Sequence, residues 1–225
     1  MSTILQATEK CAICGSKNNV QLVCSTNSFG PPDLDLRPAP MARYMIGHMI
    51  HECQNCGYVS YDLKKCNLTN ERVKEIMNSE DYKTALQLPD GSTAQKYYRL
   101  YLLMLEENDT YGTFTSLLRA VWEAEDILDN SYEIRVREVL ISLIEQKLHG
   151  LDCDHERNER EQLTIMLAEC HRKCHNFEEA KMVLSGKTFE SELLNKIAAF
   201  IVKKSEDRDA NPYNVGHVTF PFEEH

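Results

Sequence analysis

Two hydrophobic patterns divide the chain. Up to about residue 66 the apolar stretches are short and broken by turns; from about Thr69 they recur at helical spacing. In the first part, Val20-Gln21-Leu22-Val23 and Met45-Ile46-Gly47-His48-Met49-Ile50 read as strands, one leaving and one approaching a Cys-x-x-Cys pair. In the second, the pattern predicts a helix over 70–77 with Thr69 as N-cap, and another over 80–86 behind Ser79. Leu88-Pro89-Asp90-Gly91 is a turn. Helices follow at about 93–107, 112–129, 131–148, 156–175, 177–185 and 189–204. The last gathers Leu193, Leu194, Ile197, Phe200 and Ile201 on one broad apolar face.

Within this body the segment 167–184 has more specific spacing. Small residues at Ala168 and Ala180, twelve positions apart, would let two antiparallel helices approach closely, and Leu167, Phe177 and Leu184 would fill the seam. This is half of a tetratricopeptide-type pair, although a generic helical hairpin has the same signature. Residues 114–148, with Leu117, Leu118, Ala120, Trp122 and Ala124, are a candidate for an earlier, degenerate pair. The expected fold is therefore mainly α: a helical-hairpin, tetratricopeptide-like body with a small N-terminal zinc-bound β ribbon. The expected organisation is a head over 1–66, a body over 67–204 and a tail over 205–225. Stacked helical pairs present a concave face that commonly takes up peptide or protein.

Between the two head strands, residues 29–40 hold four of the seven prolines, which marks an irregular loop. Leu34 and Leu36 alternate with Asp33 and Asp35, so an extended course would turn the leucines to the body and the carboxylates outward. The tail opens polar and ends with Tyr213, Phe220 and Phe222, a density of aromatics that predicts packing back on the body.

The nine cysteines change the picture most. Four form Cys11-x-x-Cys14-Gly15 and Cys53-x-x-Cys56-Gly57. A two-residue gap lets both thiolates of a tight turn face one ion, and the following glycine permits the turn. Two such knuckles give four sulfurs around one zinc with no open position, which is structural chemistry. The 38 intervening residues are a long loop, but closure entropy grows only slowly with length. An odd cysteine count and an N-terminus without signal-peptide zones favour metal over disulfides and a cytoplasmic location. Cys24 and Cys66 are expected as small buried hydrophobes. His51 is a substitute ligand made redundant by the quartet.

Charge restrains the choice of partner. The chain carries −10 overall, with near balance in residues 1–66 and the acidic excess beyond. Phosphate-backbone binding needs clustered Lys and Arg, so nucleic acid is disfavoured. No apolar run reaches the ~20 residues of a membrane helix. A protein partner is the expectation, and self-association stays open.

Two further groups invite chemistry. Cys170, His171, Cys174 and His175, preceded by Cys153 and His155, could hold a second metal; core packing is the preferred reading. Asp33 and Asp35 with Arg37 are the candidate catalytic residues, because alternate carboxylates could share a cation or a proton-transfer site. Capping and ion pairing within the loop are the preferred reading there. No phosphate loop, nucleophile elbow or His-Glu-x-x-His is present.

The two Cys-x-x-Cys-Gly motifs, the second followed by Tyr58, together with Ser25-x-Asn27-x-Phe29-Gly30-x-Pro32-Asp33-Leu34-Asp35-x-Arg37-Pro38, resemble a bacterial family of uncharacterised proteins. Its members place a zinc-ribbon-like head before a tetratricopeptide-like helical tail. Leu117-Leu118-Arg119-Ala120-Val121-Trp122 is also similar to that family's helical region. The resemblance is specific over 11–62 and reduces to pattern beyond about 150. It implies a bacterial cytosolic protein and an architecture, and it implies no activity. The sequence thus points to a zinc-binding scaffold or adaptor recognising a protein partner through its helices. The alternative is an enzyme with its site over 27–37, working by metal-assisted hydrolysis.

Overall fold

The computed structural model describes residues 2–127, 129–151 and 156–219. The chain forms two compact units, Met1–Ser28 with Pro40–Val136, and Phe29–Ala39 with Arg137–His225. The proline-rich loop therefore belongs to the same unit as the C-terminal helices, while the sequence on both sides of it belongs to the other.

The first unit begins with two antiparallel hairpins. β1 (Thr3–Lys10) pairs with β2 (Lys17–Ser25), from Thr3 opposite Ser25 to Lys10 opposite Lys17. The short strands β3 (His51–Glu52) and β4 (Val59–Ser60) pair with Glu52 opposite Val59. Strand character at Val20–Val23 agrees with the sequence. β1 was not expected: most of its residues are exposed, so it carries no buried stripe to read.

Between the hairpins the expected strand over 45–50 is helical instead. α1 (Ala42–Met45) runs into a 3-10 turn over Ile46–His48. In this run only Ile46 and Ile50, four positions apart, are buried, and four is a helical spacing. The Tyr97 hydroxyl donates to the Ile46 carbonyl at 2.8 Å and fixes the turn.

From α2 onward the helices of this unit start at polar caps. Thr69 accepts from the Arg72 amide before α2 (Asn70–Asn78), and Ser79 accepts from the Tyr82 amide before α3 (Glu80–Thr84). Each such cap is worth about 1 kcal/mol. α3 stops at Thr84 because Ala85, Leu86 and Gln87 all take positive φ. α4 (Thr93–Glu106) and α5 (Thr110–Glu125) form a closely packed helical hairpin. Asp109 caps α5 through the Gly112 amide at 2.8 Å, which sets its start two residues before the periodic pattern. Its buried seam includes Leu117, Ala120, Val121 and Ala124.

The boundary between the units falls within α6 (Asn130–Gly150). In the second unit α7 (Arg157–Lys173), α8 (Phe177–Leu184) and α9 (Glu192–Glu206) pack on one another, and α10 (Val215–Thr219) packs on α9. Ala168 and Ala180 are buried without remainder and Phe177 and Leu184 are buried with them, so α7 and α8 form the hairpin their spacing predicts. Ser191, accepting from the Leu194 amide, moves the start of α9 to Glu192.

The loop 29–39 enters this core. Leu34 is buried in one cluster with Ile165, Ala168, Leu184, Ile197 and Ile201. The expected extended course fails at Leu36, whose φ of 68° reverses the chain, with Leu36 donating to the Asp33 carbonyl and Asp33 to that of Arg37. Leu36 is consequently 51% exposed and Asp35 only 4%, the opposite of simple alternation. The tail packs on the same loop. Leu34 donates to the Tyr213 carbonyl, Val215 donates to that of Pro32, and Asp33 bridges to Asn214. The fully buried Arg172 ties the tail to α7, with Glu169 on one side and the carbonyls of Asp209 and Asn211 on the other. Phe220 and Phe222 lie outside the described residues. No helix among the described residues is long and apolar enough to cross a membrane.

Candidate metal centre

Each Cys-x-x-Cys-Gly motif is the turn of one hairpin. Residues 11–16 join β1 to β2, and residues 53–58 join β3 to β4. The two turns have the same backbone wiring. In the first, Gly15 donates to the Cys11 carbonyl and Cys11 to that of Ser16; in the second, Gly57 donates to the Cys53 carbonyl and Cys53 to that of Tyr58. Both turns end on a glycine in the left-handed region, φ 74° at Gly15 and 76° at Gly57. A side chain there would strain the backbone, so the glycine after each second cysteine is a geometric requirement.

The four sulfurs of Cys11, Cys14, Cys53 and Cys56 all lie within 4.8 Å of one another. Across the two turns, Cys11 and Cys56 are 3.8 Å apart and Cys14 and Cys53 are 3.5 Å apart. A tetrahedral ion with bonds of ~2.3 Å to sulfur has edges of roughly 3.8 Å. The cluster therefore fits one four-coordinate metal ion, with every ligand position filled by sulfur.

The surroundings favour thiolates on one side of the cluster. The Ser16 hydroxyl lies 3.1 Å from both Cys14 and Cys53. With the Ser16 amide and Asn55 it lowers the Cys14 thiol to about 5. At Cys53 burial opposes ionisation, but Ser16 and the Cys56 and Asn55 amides outweigh it and the thiol sits below its usual range. Burial pushes Cys11 and Cys56 the other way. A cation supplies what these two lack, since a bound metal displaces the thiol proton outright.

A shell of polar side chains locks the turns together. Buried Asn18 donates to the Ser16 carbonyl at 3.1 Å and to the Cys53 sulfur at 3.5 Å, and accepts from the Gln54 amide at 2.9 Å. One side chain thus spans both knuckles. Behind the first, Ala12 donates to the Leu63 carbonyl, and Glu9 accepts from the Leu63 amide at 3.0 Å and pairs with Lys64. Behind the second, the Tyr82 hydroxyl donates to the Gly57 carbonyl at 2.9 Å. Asn18, Glu9 and Tyr82 carry no sequence signal of their own, because each makes a bond to a segment distant from it in sequence: Asn18 to Gln54, Glu9 to Leu63 and Tyr82 to Gly57.

The other candidates are placed differently. His51 is buried in β3 beside the cluster. Cys24 is exposed, against the expectation of a buried thiol, and Cys66 is half-buried with its sulfur 3.5 Å from the Leu68 carbonyl. Cys170 is fully buried and its thiol is pushed up to about 12 by desolvation. Cys174 and His171 are buried and His175 is exposed, and among the described residues these four do not form a metal-holding group. Cys153 and His155 lie outside the described residues.

Asp35 and Arg37 are both buried, whereas Asp33 is half-exposed. One Asp35 oxygen accepts from the Arg37 amide at 3.2 Å, and the other lies 3.4 Å from both terminal nitrogens of Arg137. Arg137 went unnoticed in the sequence, where it is one of many basic residues on helical segments.

No family model, no curated protein and no solved structure matches the chain, so the family resemblance stands on the quoted residues alone.

Proposed function

We propose that the protein is a zinc-binding scaffold or adaptor that recognises a protein partner through its helical surfaces. The observation that carries this reading is the closed tetrahedron of four cysteine sulfurs. An ion held there has no position left for water or substrate, so it holds hairpins together and does no chemistry of its own. Zinc is the ion suited to four thiolates in tetrahedral array. Tyr111 on α5 and Met182 on α8 are exposed large apolar side chains and are the candidate contact points for such a partner. The acidic excess in residues 67–225 favours a basic or neutral protein partner over nucleic acid. A cytoplasmic location suits the thiolates, which a reducing compartment keeps available.

The enzyme reading needs Asp33 and Asp35 to face one cation. Asp35 faces Arg137 instead, and it gains no support from this arrangement.

The test combines metal analysis with partner capture. The purified chain should carry one zinc per molecule. Proteins recovered with wild type from native cells should be lost with Tyr111→Ala or Met182→Ala while metal content stays constant. Unchanged recovery with both variants would reject the helical surfaces as the recognition site.

A further inference from the structure

The first two turns of α7 and the segment 187–189 enclose a cleft of about 450 Å³ in the second unit, within the range of small-molecule sites. Among the described residues its lining is cationic in a chain of net charge −10: Arg157, Arg160 and Lys187 stand against one carboxylate, Glu161. That carboxylate is already engaged. Arg157 donates to it at 3.2 Å, the Glu190 amide donates to it at 3.2 Å, and Arg157 also pairs with Glu190 at 2.6 Å.

The remaining donors are only partly engaged. Arg160 gives one terminal N–H to the Leu151 carbonyl, and among the described residues its other terminal N–H groups make no hydrogen bond. Among the described residues Lys187 makes no ion pair. Thr164 lines the cleft, is 3% exposed, and its hydroxyl has no hydrogen-bond partner among the described residues. Thr188 adds a second hydroxyl and Phe189 an apolar wall.

From this arrangement we infer that the cleft binds a small phosphorylated molecule by its phosphate. The guanidinium, the ammonium and two hydroxyls are together more donors than a carboxylate's two oxygens use well, whereas a phosphomonoester offers three terminal oxygens and up to two negative charges. The cleft is larger than a phosphate alone, which leaves room along Phe189 for the organic part. The inference is independent of the metal centre and of the partner reading.

The experiment is calorimetric titration of the full-length, metal-loaded chain at fixed ionic strength with phenyl phosphate, inorganic phosphate and benzoate. Phenyl phosphate should bind about tenfold more tightly than benzoate, because the charge-assisted donors outnumber a carboxylate's acceptors. Inorganic phosphate should compete with it. Lys187→Glu, at an exposed position, should weaken phenyl phosphate at least about tenfold by reversing a contact charge. Thr164→Val should weaken it about threefold through one lost hydrogen bond. Equal binding of phenyl phosphate and benzoate, or unaltered binding by Lys187→Glu, would overturn the inference.

Discussion

Asp35 and Arg137 lie 102 residues apart along the chain, and their side chains meet in the interior at 3.4 Å with Arg137 fully buried. Removing the carboxylate takes a hydrogen-bonded counter-charge away from a fully buried guanidinium. Asp35→Ala should therefore cost about 3–5 kcal/mol, read from urea melts. Asp35→Leu combined with Arg137→Met should recover most of that loss, because the charge to be compensated is gone. A single variant as stable as wild type would show that the pair does not hold the loop.

The metal centre makes a second prediction. Cys53→Ser should abolish metal binding at the four-cysteine cluster and melt the two hairpins, since a structural metal supplies much of the folding free energy of small metal-bound elements. Elemental analysis and near-ultraviolet circular dichroism check both halves. Full metal occupancy in the variant would contradict a four-cysteine site.

Asn18 lies outside the quartet, yet it bonds to both knuckles. Asn18→Ala should lower metal affinity about 10–100-fold, the usual effect of removing an outer-shell partner. Competition with a chromophoric chelator measures it. An unchanged affinity would mean that the backbone of the two turns orients the sulfurs unaided.

A pH effect follows from His171. Burial holds this imidazole below its usual 6.5, with the Glu145 and Glu179 carboxylates opposing, and its Nδ1 has no hydrogen-bond partner. The unfolded chain therefore takes up a proton at higher pH than the folded one. His171 costs nothing above about pH 7, and stability falls as pH drops through the unfolded value near 6.5. His171→Leu should flatten the decline in melting temperature between about pH 7 and 5 relative to wild type. Parallel curves for the two proteins would place the pH sensitivity elsewhere.

The legibility of these features followed the range of the interactions behind them. Cys11-x-x-Cys14-Gly15 is readable because both ligands and the left-handed glycine fall within five residues. Thr69 and Ser79 are readable as caps because the amides they bind are three residues away. The run 45–50 misleads because six residues interrupted by Gly47 and His48 are too few to show a period, and the burial of Ile46 and Ile50 is imposed by what packs around them. The loop misleads for another reason: one positive φ at Leu36 exchanges inside for outside. Asp35 was noticed for its chemistry, but its partner was beyond the reach of any local pattern.

The placement of residues 29–39 sets a timetable for synthesis. Leu34 belongs to a core whose other members lie between Ile165 and Val218, and Asp35 waits for Arg137. At ~5–20 residues per second, a ribosome needs roughly 5–20 s to add the 102 residues between them. Throughout that interval the loop has left the ribosome ahead of the helices that will receive it.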